Sequence, residues 1–469
     1  MTTTKIDTAL NLLNQQLNQP LTAALEVCAR CGICAEACHY YVAEPKVEHI
    51  PAARAESLRK VYRSEHDLLS RLFPSWTGAE RLTEEKLAEW ADIAFNKCTL
   101  CYRCTINCPM GLDTPLLMTS LRAIATATGN APEVLEMLAD AAIEKGKDPE
   151  IYLGFYKESI KDMEVELQEL TGNPDASIPL QKQGAKKLYV ALAGAHTILP
   201  VAAIFESVGE DWTLSIFEAA NYGIFLGDAS RAKAIARRIV DEAKSLGVEE
   251  IVISECGHAY YVMRWVAPNW FGDEFTFRVR SIVEVLAEYV QDGKLKLDPS
   301  ANSEPITYHD SCNLGRKGGI LAEPRVVLQA VTNDFRELTP NREEAYCCGG
   351  GAGLVALPEA YDLRMMAGKP KADQVKRSGA QVVVAACENC RLQLGDLSGY
   401  YGLGIGVTAL TDLVVKAMRL PGNQKTVEHI MTLETVNSGE HDNAEVWGST
   451  DLVSLPSTKG DRSEPKSNV

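Results

Sequence analysis

Apolar residues recur at helical spacing through residues 1–160, most clearly in 83–94 (TEEKLAEWADIA) and 115–127 (PLLMTSLRAIATA), and predict a helical N-terminal region. From about 186 to 420 the pattern changes. Short apolar runs at 188–192, 250–254, 307–309 and 381–385 alternate with amphipathic segments such as 229–246, which predicts α/β layers. A membrane span needs about 20 consecutive apolar residues. The stretch 188–205 is interrupted by Gly194, His196 and Pro200, and fits a buried strand, a turn and a helix start better. The first twenty residues lack a basic start followed by an apolar core, and read as a short polar helix or arm rather than an export signal. After Pro421-Gly422 the sequence turns polar, and residues 421–469 are expected to be a mobile tail.

The α/β region repeats itself. Residues 245–256 (SLGVEEIVISEC) resemble 377–387 (RSGAQVVVAAC): each is a helix end with glycine, a β-rich run and a cysteine. Upstream, 189–195 (YVALAGA) matches 306–312 (ITYHDSC) in position. We read this as a duplication, the alternative being two unrelated βα units. The second copy is rich in cysteine and the first nearly bare. The expected architecture is therefore α + α/β. A helical domain at 1–160 precedes two tandem α/β domains at 186–296 and 297–420, with the polar tail at 421–469.

A chain of 469 residues with 46% hydrophobic and 23% charged residues is ordinary globular protein of two or three domains. Its formal net charge of −16 argues against a nucleic-acid partner, because phosphate contacts need clustered Lys and Arg. The 14 cysteines change the picture most. Without an export signal they are not expected to form disulfides, and their spacing points to metal.

Two runs share one spacing. Cys28, Cys31, Cys34 and Cys38 form the first; Cys98, Cys101, Cys104 and Cys108, followed by Pro109, form the second. Two residues between thiolates let one turn present three sulfurs to three irons of a cubane [4Fe–4S] cluster. In two-cluster ferredoxins the fourth cysteine ligates the other cluster. One cubane cluster is thus expected on Cys28, Cys31, Cys34 and Cys108, the other on Cys98, Cys101, Cys104 and Cys38. Structural zinc would leave the repeated four-cysteine spacing unexplained. His39 stands where a proline usually follows the last cysteine, which removes no ligand. Arg30, Lys97 and Arg103 lie beside the ligands and either offset thiolate charge or are solvated surface charges.

The remaining six cysteines lie in the repeats. The second copy contains His309-Asp310-Ser311-Cys312, Tyr346-Cys347-Cys348 with GGGAG after it, and Cys387-Glu388-Asn389-Cys390. Four thiolates suffice for a cubane cluster, so a fifth suggests a substrate thiol or an unusual cluster. The glycines would let backbone approach a cluster closely. A nucleotide loop is a weak reading of GGGAG, since no Lys-Ser/Thr follows.

A cysteine, then CCG, then CxxC resembles the CCG (cysteine-rich) domain of heterodisulfide reductases. Two ferredoxin-type runs ahead of two such domains resemble the D-type subunit of that family. The CCGGGAGL and ECGHAY stretches are further similar to the K subunit of the sulfite-reduction-associated Dsr membrane complex. The resemblance covers about residues 20–420. It implies a noncubane [4Fe–4S] cluster on Cys312, Cys347, Cys348, Cys387 and Cys390 that reduces, or in reverse forms, a disulfide-type substrate. It also implies a haem b or quinone-linked membrane subunit as electron partner, further subunits of a redox complex, and a cytoplasmic chain held at the membrane through a partner. The substrate would be a small sulfur-carrier protein; a coenzyme disulfide, or a pure relay role toward a flavoprotein or dehydrogenase, are the rivals. The first copy departs from the pattern. Ala195, Ala219-Ala220-Asn221 and Ala259 stand where thiolates would be, and only Cys256 remains. Cys256 is either a buried free thiol or a substrate-capturing one favoured by an electropositive site near His258. His258 and His309 are proton-transfer candidates or hydrogen-bond donors.

Overall fold

The computed structural model describes residues 4–422 except 148 and 193; the expected mobile tail lies almost wholly outside the described residues. Helices run from Lys5–Gln16 to Glu133–Lys145 before any strand. Local signals set their ends. Thr4 and Asp7 form a capping box at Lys5–Gln16, and Asp113 caps Thr114–Ala127, which carries Pro115 in its first turn. Leu13, Leu58, Trp90 and Leu121 form the core of this region. The two ferredoxin-type runs sit on loops leading into the short helices Ile33–Ala37 and Arg103–Ile106.

Eight strands make two four-stranded parallel sheets. In the first, β1 (Lys187–Val190), β2 (Trp212–Leu214), β3 (Glu250–Ile253) and β4 (Arg278–Ser281) lie in the order β2-β1-β3-β4. In the second, β5 (Ile306–Tyr308), β6 (Phe335–Arg336), β7 (Val382–Val384) and β8 (Gly406–Thr408) lie in the order β6-β5-β7-β8. Leu188 pairs with Ile251 in one register, Thr307 with Val383 in the other. The central strands are buried on both faces, as helix-covered parallel sheets require. Residues 188–205 are indeed strand, turn and helix: β1 leads into the helix Ala195–Val208, which holds Pro200.

The helical region does not stop near 160. The helix Pro149–Thr171 runs on, and its Tyr156, Ile160, Met163, Leu167 and Leu170 pack with the first sheet. Apolar periodicity alone cannot say which core a helix will join.

Glu255 ties the two α/β units together. Its carboxylate is 2.8 Å from Arg391 Nη1 and accepts from the Leu410 N–H at 2.9 Å, while its carbonyl accepts from the Glu388 N–H. The cysteine-bearing segments follow β3, β5 and β7, beyond the carboxyl ends of parallel strands, where α/β sheets place their ligand crevices.

Candidate metal centres

The two ferredoxin-type loops share one backbone trace. Positive φ falls at the third and fifth positions of each: Arg30 (54°) and Gly32 (82°), then Leu100 (50°) and Tyr102 (65°). Non-glycine residues adopt such φ at a cost that the surroundings must offset. The Leu100 N–H donates to Cys98 Sγ at 3.4 Å, the kind of bond that stabilises a ligating thiolate. The loops are brought together by Arg103, whose Nη1 donates to Ala37 O at 2.7 Å and whose Nε donates to Glu344 O.

Cys38 lies between the runs. Burial raises the Cys104 thiol, and the charges of Cys98 and Cys38 raise it further. Arg54 donates to Cys38 Sγ at 3.2 Å, and its charge is also felt by Cys98 and Cys104. Of the cations that adjoin the ligands in sequence, Arg30 pairs with Glu56 at the surface and Lys97 with Asp92 and Glu48. Arg103 is buried and lies over the Tyr346 ring. Proximity in sequence pointed to one buried cation, Arg103, and to two at the surface; Arg54 is a buried one that it did not point to.

The third group is more compact. Cys312, Cys347, Cys348, Cys387 and Cys390 are all buried. Cys347 is hydrogen-bonded to Cys101, Cys312 and Cys348, which together hold its pKa well below the usual thiol value. Cys348 Sγ lies 3.6 Å from Cys390 Sγ. Cys390 bonds Cys387 and lowers that thiol to about 6. Cys101 of the second run therefore adjoins the third group. His39, Cys101 and Cys347 offer ligand atoms within 4.8 Å of one another.

Thr99 and Arg316 complete the junction. Thr99 Oγ1 lies 3.4 Å from Cys347 Sγ and 3.0 Å from His39 Nε2. Arg316 donates to the carbonyls of Cys101 (2.7 Å), Glu343 and Ala345. The glycine stretch also makes room for neighbouring backbone. A Cβ at Gly349 would lie 2.9 Å from Arg364 O and Gly368 N, and one at Gly351 would lie 3.0 Å from Thr99 O. These glycines admit neighbouring backbone, while the Gly349 N–H donates to Cys347 Sγ at 3.4 Å.

Cys256, His258 and His309 surround this group. The Gly257 N–H favours the Cys387 thiolate. A Cβ at Gly257 would meet Leu314 N at 3.0 Å, so the turn after Cys256 is pressed against the segment following Cys312. Cys256 Sγ is 3.3 Å from His258 Nδ1, and the Asn221 N–H donates to His258 Nε2. The second bond leaves Nε2 unprotonated and puts the ring proton on Nδ1, facing the sulfur. His258 itself brings no positive charge here, although that of Lys317 reaches it. Burial lowers His258 to about 3, keeping it neutral, and burial raises the Cys256 thiol. His309 is 1% exposed with neither ring nitrogen hydrogen-bonded. Its ligand atom lies within 4.8 Å of those of Cys348 and Cys390, and burial holds it neutral.

The donor set suits iron–sulfur clusters. All cysteines are free, backbone N–H groups point at their sulfurs, and Arg54 Nε, Arg54 Nη1, Arg316 Nη2 and His309 are buried polar groups without protein acceptors. Cluster sulfides would satisfy them. Sequence reasoning missed Arg54, Thr99 and Arg316; Thr99, next to Cys98, and Arg316, four residues after Cys312, carried a local signal.

Family models agree. The 4Fe-4S dicluster domain matches residues 24–112, and the cysteine-rich CCG domain matches 306–395. The chain is thus an iron–sulfur protein carrying several [4Fe–4S] clusters. It is 28% identical to the Hdr-like menaquinol oxidoreductase iron-sulfur subunit of Archaeoglobus profundus, over 86% of this chain and 81% of that one. It is 26% identical to the D subunit of the dihydromethanophenazine:CoB–CoM heterodisulfide reductase of Methanosarcina barkeri, over 89% and 98%. It is 24% identical to the EtfAB:quinone oxidoreductase of Syntrophomonas wolfei, over 79% and 55%. With these domains it is an iron–sulfur oxidoreductase, similar over most of its length to subunits of the heterodisulfide-reductase-like type.

Proposed function

We propose that the chain is the catalytic subunit of a membrane-associated redox complex that reduces or forms a disulfide or trisulfide, as the Dsr K subunit resemblance implies. Cys28, Cys31, Cys34 and Cys108 would hold one cubane cluster, and Cys98, Cys101, Cys104 and Cys38 the other. Cys312, Cys347, Cys348, Cys387 and Cys390 would hold the third cluster, of noncubane form. When bound, these clusters supply one-electron transfer to and from the substrate site. The observation that carries the reading is Cys101 beside Cys347, which joins the second run to the third group.

The two α/β units, sharing one strand order, are read as a duplication whose first copy has lost its cluster ligands. Cys256 is its remaining thiol, and it would capture substrate. Thiol–disulfide exchange on RS–SR′ forms Cys256–S–S–R and breaks the S–S bond. The proton of Cys256 leaves with the displaced sulfur as R′SH. Two electrons and two protons then release RSH and restore the thiol. His258 Nδ1–H orients Cys256 Sγ. Turnover with a soluble disulfide and pre-reduced protein tests this: Cys256→Ala should keep full iron and lose most of the rate, since the mixed disulfide can no longer form. Unchanged turnover would return Cys256 to a packing role.

Burial of all five CCG cysteines favours one rival, a relay passing electrons to another protein. Stoichiometric reduction of an added disulfide by the pre-reduced chain rules that out; its absence, with clusters reduced, supports it.

Ligand crossing has its own test. Cys38→Ser should alter the EPR signal of the cluster on Cys98, Cys101 and Cys104 and leave the first-run signal intact. Loss of the first-run signal alone would mean that each run closes its own cube.

Attachment would run through a membrane-embedded subunit. Among the described residues no helix is long and apolar enough to cross a membrane. Leu68, Leu69, Leu72, Phe73 and Trp76 are exposed on one short segment, Trp76 by 79%. It begins beside a surface cleft lined by Arg30, Arg59, Arg63 and Asp67, next to the exposed Cys31. Exposed apolar patches of this kind mark protein or membrane contacts.

A further inference from the structure

We infer that Arg54 sets the reduction potential of the cluster nested in the second run, favouring its reduced form. The inference rests on the cluster assignment proposed above. Arg54 belongs to no cysteine motif; it lies in the helix Pro51–His66 and is 4% exposed. Its Nη2 donates to Cys38 Sγ at 3.2 Å, and its Nε and Nη1 are buried without any partner. The Tyr40 ring lies 5.7 Å from its guanidinium carbon. Among the described residues no carboxylate pairs with it.

A buried cation with spare donors and no carboxylate is costly to keep. What surrounds it is sulfur. A [4Fe–4S] cluster held by thiolates gains one negative charge on reduction, and a fixed guanidinium stabilises that form more than the oxidised one. Two free N–H groups aimed among the ligands can bond the cluster's sulfides in both states and more strongly in the reduced one.

Among the described residues the first run has no equivalent. Arg59, whose charge Cys28 feels, commits its donors to Leu25 O, Ala24 O and Ala52 O. The two cubane sites therefore differ in kind: one has a cation with donors to spare, the other a cation bound to carbonyls. Arg54 thereby makes electron transfer from the first-run cluster to the second-run cluster favourable, toward Cys347.

The test is an EPR-monitored redox titration of the full chain purified anaerobically, with iron content measured in parallel. Cys104→Ser identifies the second-run signal by removing or altering it. In R54Q at full iron content, that signal's reduction equilibrium should fall about tenfold or more, 59 mV per factor of ten for a one-electron couple. The first-run signal should stay put. R54K, which keeps the charge but not the planar fork, should shift less than R54Q. An unmoved second-run signal in R54Q overturns the role, as do equal shifts in R54Q and R54K. If R54Q fails to load iron, R54M takes its place: an unmoved second-run potential there overturns the role and a lowered one supports it. The crossing of Cys38 is judged separately by Cys38→Ser, so the tuning role and the ligand assignment fail by different results.

Discussion

Cys347→Ala should strip the third cluster from the protein and leave both cubane clusters in place. Cys347 is the hub of its group: hydrogen bonds from Cys101, Cys312 and Cys348, and the Gly349 N–H at 3.4 Å, all converge on its sulfur. Cys347 and Cys387 are the two of the five held toward the anionic form that iron requires. Iron should fall from about 12 to about 8 per chain, with sulfide falling in step. Both cubane EPR signals should persist, because Cys101 keeps its place through the Arg316 bond to its carbonyl. Disulfide turnover should drop to background. Retention of about 12 Fe with normal turnover would mean that the third group is not a cluster site. Loss of the second-run signal as well would mean that Cys101 depends on Cys347 for more than proximity.

Cysteine spacing was legible because ligation of a small cluster by one loop is a local problem. The positive-φ positions repeated in both loops follow from the same spacing. The helix Ala229–Leu246 was legible to its ends, since Asp228 caps it and Gly247 closes it in the left-handed region. The junction between sites was not legible. Thr99 meets Cys347 across 248 positions and Arg316 meets Cys101 across 215, contacts that no periodicity encodes. Charge was misleading for a physical reason. Arg30 and Lys97 adjoin ligands in sequence yet face solvent and carboxylates, where a charge has little reach. His258 shows the converse: burial makes it neutral, so it presents a directed N–H to Cys256 and no charge.

Arg122→Met should cost about 3–5 kcal/mol of stability, the largest loss expected from any single substitution away from the cysteines. Arg122 is 0% exposed, and among the described residues no carboxylate is hydrogen-bonded to it. Its guanidinium donates to Ala94 O at 2.9 Å, to Phe225 O at 2.7 Å, to Ala352 O at 2.8 Å and to Cys98 O at 3.0 Å. One side chain thus pins the second cysteine run, the first α/β unit and the loop after Cys348. Burial lowers its pKa to about 10, so it stays charged at neutral pH. Methionine fills much of the aliphatic volume but leaves four buried carbonyls without donors, each worth about 1–3 kcal/mol before relaxation and water entry reduce the sum. Lysine has three donors on one point and cannot serve four carbonyls arranged around a planar fork, so R122K should fall between. Thermal loss of the iron–sulfur absorbance under anaerobic conditions is the readout. A fall of about 4–6 °C is expected for a chain of this size. A fall below about 1 °C would show that the three regions hold together without it. The Cys98 carbonyl is one of the four acceptors, so the same substitution should also loosen the second run against the Cys347 loop. That would slow electron transfer between the two sites even at temperatures where the fold survives.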